Sequence, residues 1–181
     1  MPKLVLLTGP VGGGKTTTAL AVAARFRESG LSTAVVDLDV MYQMARQDEP
    51  LYTDIPTWQL AYRSAAALAD EYFASDIGVV IVEGGFLSED ELGWLEDHLN
   101  AACRVVLVAL DISWDETLRR VQADPSVDRV ASRDPPTLRW LYNHFDDARP
   151  FLEARAVLIN AESASANDLA VDIVKAVLAS A

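Results

Sequence analysis

At 181 residues the chain has the length of one domain, enough to bury a sizeable core without disulfide or metal staples. Its 27 acidic against 15 basic side chains leave a net charge of -12, which argues against a nucleic-acid backbone binder, because counterion release needs clustered Lys and Arg. Cys103 is the only cysteine, so no internal disulfide forms and no Cys/His spacing suits structural zinc; no apolar run is long enough for a signal-peptide core or a bilayer span, so a cytoplasmic protein without membrane contact is expected.

The predicted elements begin with a strand over Lys3 to Leu7 and a helix over Thr16 to Glu28 that stops before Gly30. A strand over Thr33 to Asp37 follows, then a possible short helix from Val40 to Arg46 and a longer one from Trp58 to Phe73 behind a Thr57 N-cap. Val79 to Glu83 and Arg104 to Leu110 read as strands, and Ser113 with Glu116 has the spacing of a capping box. Pro135 and Pro136 should stop the preceding helix, with Thr137 starting another that carries Leu138, Leu141 and Phe145 on one face. Ala156 to Asn160 and Asn167 to Leu178 supply a last strand and helix. Several strand runs are apolar without alternation, as expected of strands covered on both faces. The fold class is therefore α/β, a three-layer sandwich with a five-stranded parallel sheet, and without repeats or linkers residues 1–181 read as one domain.

Gly9-Pro10-Val11-Gly12-Gly13-Gly14-Lys15-Thr16 matches G-x-x-x-x-G-K-[ST] directly after a strand and at the opening of a helix, the setting a phosphate-binding P-loop demands. Glycine dihedrals turn successive N–H groups inward, and the helix adds its positive end to the same anion site. Lys15 should reach the β- and γ-phosphates of ATP, the Thr16 hydroxyl should coordinate Mg²⁺, and Thr17 is placed near the α-phosphate. The P-loop NTPase fold follows, with ATP preferred because no Asn/Thr-Lys-x-Asp guanine signature stands at Leu110 to Ser113.

Asp37 and Asp39 close the second strand on the edge that carries the phosphate loop. As an alternating pair, one would face hydrated Mg²⁺ and the other an acceptor hydroxyl; Asp39 is the expected base and Asp37 the metal-side residue, with helix capping the alternative for either. Glu83 ends a Walker-B-like strand and is expected to hold metal-bound water, with Gly84 and Gly85 permitting close backbone approach. Between Arg119 and Pro136 the charges and chain breakers suit a lid over about residues 123–136; Arg129 and Arg133 are its candidate catalytic arginines and Arg120 a nucleotide contact, against surface pairing with Asp124, Asp128 or Asp134. His98 and His144 read as structural or surface residues. The four tryptophans read as core or rim, with Trp58 and Tyr62 as candidate acceptor lining.

Together the phosphate loop, Asp37-Leu38-Asp39, Val79 to Gly85, Arg119-Arg120 and the Arg129 to Arg133 segment resemble the small P-loop kinases, the group of shikimate kinase, adenylylsulfate kinase and chloramphenicol phosphotransferase. The resemblance implies an acceptor-binding side over about residues 40–77, the lid, and a loop from Asn160 to Ser165 near adenine. The chain departs from shikimate kinases at Ala66, where they carry Glu, and from adenylylsulfate kinases at Leu38, where they carry a small glycine. The expected activity is Mg-ATP-dependent transfer of the γ-phosphate to a hydroxyl of a small-molecule acceptor by a monomer or homodimer. A regulatory NTPase completed by a partner protein is the alternative.

Overall fold

The computed structural model describes residues 1–45, 53–124 and 132–180. Five parallel strands, β1 (Lys3–Thr8), β2 (Thr33–Asp37), β3 (Val79–Glu83), β4 (Arg104–Asp111) and β5 (Val157–Asn160), lie in the order β2-β3-β1-β4-β5. From β1 the chain first builds outward to β2 and back to β3, then crosses to β4 and β5. The carboxyl end of β1 is thus a topological switch point, where a crevice opens in sheets of this kind.

Side chains of successive strand residues leave the sheet on opposite faces, and both faces are covered. Leu4, Leu6, Val80 and Val82 pack with Tyr62, Ala65, Ala66 and Ala69 of α3 (Ile55–Ala74), and this layer also takes in Leu92 and Leu95 of α4 (Glu89–Glu96). The alanine face of α3 lets that helix approach the sheet closely. On the other side Val5, Leu7, Ile81 and Val108 meet Val22 and Phe26 of α1 (Lys15–Glu28) and Leu169 and Ile173 of α8 (Ala166–Ala179). The three layers and the five-stranded parallel sheet are those the apolar runs implied.

Several boundaries differ from expectation, each for a local reason. Asp54, not Thr57, caps α3: its carboxylate accepts from the Thr57 N–H at 3.1 Å, and Pro56 occupies the first turn, where no N–H is needed. Likewise Asp134 caps α6 (Pro135–Asp147), accepting from the Thr137 N–H at 3.1 Å, so the two prolines open a helix that Thr137 does not start. Ser113 caps α5 (Trp114–Ala123) through the Glu116 N–H, but the reciprocal half of the capping box is missing, because the Ser113 N–H donates to Glu162 at 2.8 Å and Glu116 turns to Arg119 and Arg120. The helix after β2 starts without a loop as α2 (Leu38–Ala45). Two short helices, α4 and α7 (Arg149–Arg155), too brief for a periodic signal, had not been anticipated. Half of the proposed lid and part of the acceptor-side segment lie outside the described residues.

Candidate active site

The loop after β1 turns on a 3.0 Å bond from the Gly13 N–H to the Pro10 carbonyl. Gly12 (φ 77) and Gly14 (φ 88) hold left-handed backbone, and a Cβ at Gly12 would stand 2.6 Å from a methyl of Val121, so neither tolerates a side chain. No side chain caps α1 and no acid stands in its first turn, leaving the helix dipole and its N–H groups to the loop. Lys15 Nζ donates to the Gly9 and Pro10 carbonyls at 3.1 and 3.3 Å, within the loop it would serve. Thr17 is exposed on the first turn of α1.

Asp37 and Asp39 do not alternate along a strand. Asp37 ends β2 and accepts from the Val40 N–H at 3.1 Å, which makes it the helix cap, whereas Asp39 lies in the first turn of α2. Both still line the same cavity as Lys15 and Thr16. Glu83, paired in register with Asp37 across β2 and β3, is only 2% exposed, and its Oε1 has no hydrogen-bond partner. Burial raises its carboxyl to about 7, with the charges of Asp37 and Asp39 adding and the Thr16 hydroxyl bond and Lys15 opposing.

That orphaned buried oxygen is the fit test for Mg²⁺. Thr16, Asp37 and Glu83 offer a hydroxyl and two carboxylates, a set suited to a cation that takes its other ligands from phosphates and water. Among the described residues no group of three or more His, Cys, Asp or Glu forms a site that would hold a metal without such help.

On the flank of the loop, Arg120 Nη1 donates to the Gly13 carbonyl at 3.3 Å and Nη2 to the Ala161 carbonyl at 2.6 Å, while Nε pairs with Glu116 at 2.7 Å. One guanidinium thereby joins the phosphate loop to the loop after β5. The bonds Glu116 accepts from Arg119 first and then Arg120 hold its carboxyl down at about 2. Arg119 itself is an exposed partner of Glu116. Arg133 is exposed and donates to the Asp124 carbonyl at 2.7 Å; it is not among the cavity-lining side chains, and Arg129 lies outside the described residues.

The cavity, about 820 Å³, runs from the phosphate loop into an aromatic chamber. Tyr42, Trp58, Tyr62 and Trp94 form a chain of ring contacts with centroids 4.4, 6.2 and 5.5 Å apart. The Tyr62 hydroxyl donates to the Gly85 carbonyl, and the Phe86 N–H donates to Thr8 Oγ1 at 3.2 Å, so the β3 exit is tied to α3 and to β1. Glu91, Trp94, Trp140 and His144 also line this end, which the sequence reading missed. A signal for them existed: Thr137, Trp140, Leu141 and His144 recur at helical spacing on α6, as do Glu91 and Trp94 on α4.

A family model described as AAA domain matches residues 4–136. No curated protein matches the sequence. Similar solved structures include the tunicamycin resistance protein of Deinococcus radiodurans (19% identity, TM-score 0.68, covering 98% of this chain and 96% of that one). Shikimate kinase from Bacteroides thetaiotaomicron has 19% identity and a TM-score of 0.65, over 97% and 98% of the two chains. The APS kinase of Mycobacterium tuberculosis, in complex with AMPPNP and APS, has 18% identity and a TM-score of 0.63, over 99% and 98%. At these identities the likeness is one of fold.

Proposed function

The chain belongs to the AAA domain family, and on that premise we propose that it is an Mg-ATP-dependent phosphotransferase that moves the γ-phosphate to a hydroxyl of a small molecule. One observation carries the reading: the phosphate loop, Asp39 and an aromatic chamber open into a single cavity, so donor and acceptor fit in one enclosure. The kinase folds similar to this one, including that of an enzyme seen with AMPPNP, support it.

In this reading Lys15 exchanges its bonds to Gly9 and Pro10 for the β- and γ-phosphate oxygens and offsets charge that develops during transfer. Thr16, Asp37 and Glu83 would hold Mg²⁺, which would supply neutralisation of phosphate charge. Asp39 orients the acceptor hydroxyl and takes its proton as the oxygen bonds to the γ-phosphorus; the bond to the bridging oxygen breaks and ADP leaves. Arg120 holds the phosphate loop against the loop after β5, the loop this reading assigns to adenine.

The test is incubation of the purified protein with Mg-ATP and a library of small hydroxyl compounds, following acceptor-dependent ADP release. An acceptor that gains one phosphate supports the proposal. ATP hydrolysis that ignores every acceptor but rises with an added protein partner would replace it with a partner-completed NTPase.

A further inference from the structure

The acceptor end of the cavity pairs flat aromatic faces with carboxylates. Trp58 and Trp94 are half-buried along its wall, and Trp140 is 45% exposed on α6. At this end Asp39 and Glu91 contribute carboxylates to the described lining, and His144 an imidazole. Both carboxylates act on the same spot: burial first, then the charges of Glu91 and Asp39, hold the Tyr62 phenol well above its ordinary range.

Glu91 is fixed in place before any ligand arrives. Its Oε2 accepts from the Leu87 N–H, and its own N–H is bound by the Ser88 hydroxyl at 3.2 Å at the start of α4. A carboxylate accepts about four hydrogen bonds, so the bond to Leu87 leaves capacity for a donor in the cavity. A rigid carboxylate favours a cation by direct charge pairing and disfavours an anion, while the aromatic faces beside it take a flat apolar group whatever its charge.

Resting on the phosphotransfer reading above, we propose that the acceptor is an aromatic or apolar-faced hydroxyl compound bearing a protonated amine, its flat part taken by Trp58, Trp94 and Trp140 and its ammonium by Glu91. Asp39 then addresses the hydroxyl and Glu91 the amine, so two carboxylates of one cavity have separate tasks.

Three probes of matched shape test this: 2-amino-1-phenylethanol, its N-acetyl derivative and mandelate, which present the same phenyl and secondary hydroxyl with positive, neutral and negative charge. Binding is read by tryptophan fluorescence without nucleotide, and phosphate gain by mass spectrometry with Mg-ATP. The cation should bind at least about tenfold more tightly than mandelate, and Glu91→Gln should erase that difference while the neutral probe binds as before. Trp140→Leu, an exposed change that spares the core, should weaken all three probes alike. Mandelate binding as well as the cation, a preference that survives Glu91→Gln, or no quenching by any probe at millimolar concentration overturns the proposal. Cation preference without phosphate gain on any acceptor would instead leave the amine site standing and remove the phosphotransfer reading. Phosphate gain confined to anionic acceptors would do the reverse.

Discussion

The two ends of the cavity are built differently. The phosphate end is made mostly of backbone, from glycine dihedrals, the uncapped start of α1 and carbonyls that hold Lys15, with the guanidinium of Arg120 clamped across its flank. The proposed acceptor end is made of side chains from four helices, α2, α3, α4 and α6, each contributing from two to five residues to a common wall. Backbone sites of the first kind are spelled out in contiguous sequence and tolerate little change. Sites of the second kind are assembled across the chain and can change specificity by single substitutions, without disturbing the sheet.

The largest expected effect is at the phosphate end. Lys15→Ala should lower kcat/KM by about a hundredfold or more with little change in Tm, because the ammonium bonds loop carbonyls and holds no core together. Steady-state kinetics beside a thermal melt checks this; a large Tm loss would mean that the lysine is part of the scaffold.

Asp39→Asn comes next. It should reduce kcat by about a hundredfold or more while leaving the ATP dissociation constant nearly unchanged, since the base acts on the acceptor. If Asp37→Asn gives that pattern instead, the cap residue is the base and the assignment of the pair reverses.

Arg120→Ala should weaken ATP binding by about tenfold through loss of charge-assisted bonds to the Gly13 and Ala161 carbonyls, with a smaller effect on kcat. Isothermal titration with ATP separates this from a change in acceptor affinity. An unchanged ATP affinity would show that the bridge between the two loops is not needed to shape the nucleotide side.

The smallest effect is one of stability and pH. Because burial raises Glu83 from its ordinary 4.5 to about 7, the folded state binds its proton more tightly than the unfolded state does. The stability it contributes is full below about 4.5 and is lost as pH rises through about 7. Relative to Glu83→Gln, the nucleotide-free protein should therefore lose Tm between those values, and added Mg-ATP should shrink the gap. Parallel melting curves for the two proteins across that range would contradict the account of Glu83.

The unequal legibility of the two ends follows from their construction. The phosphate loop, β1 to β5 and the three layers were readable because they depend on contiguous runs: apolar strands, a glycine-rich turn, a helix start. The caps at Asp54 and Asp134 were misplaced by three residues because Asp and Thr both favour that position, and only the proline between them decides which one stays outside the helix. Asp37 and Asp39 were read as an alternating pair because the sequence carries no breaker between β2 and α2, so the change from extended to helical backbone at Leu38 left no mark. Glu91, Trp94, Trp140 and His144 were passed over because their shared cavity exists only once α4 and α6 have packed against the sheet.

The claim on which everything else depends is that one cavity serves donor and acceptor together, and γ-labelled ATP tests it most directly. With Mg²⁺ and a library of hydroxyl compounds, the label should appear on an acceptor, with inorganic phosphate a minor product, and Lys15→Ala should abolish both. Label found only in inorganic phosphate, whatever acceptor is present and with ATP binding intact, would contradict the account.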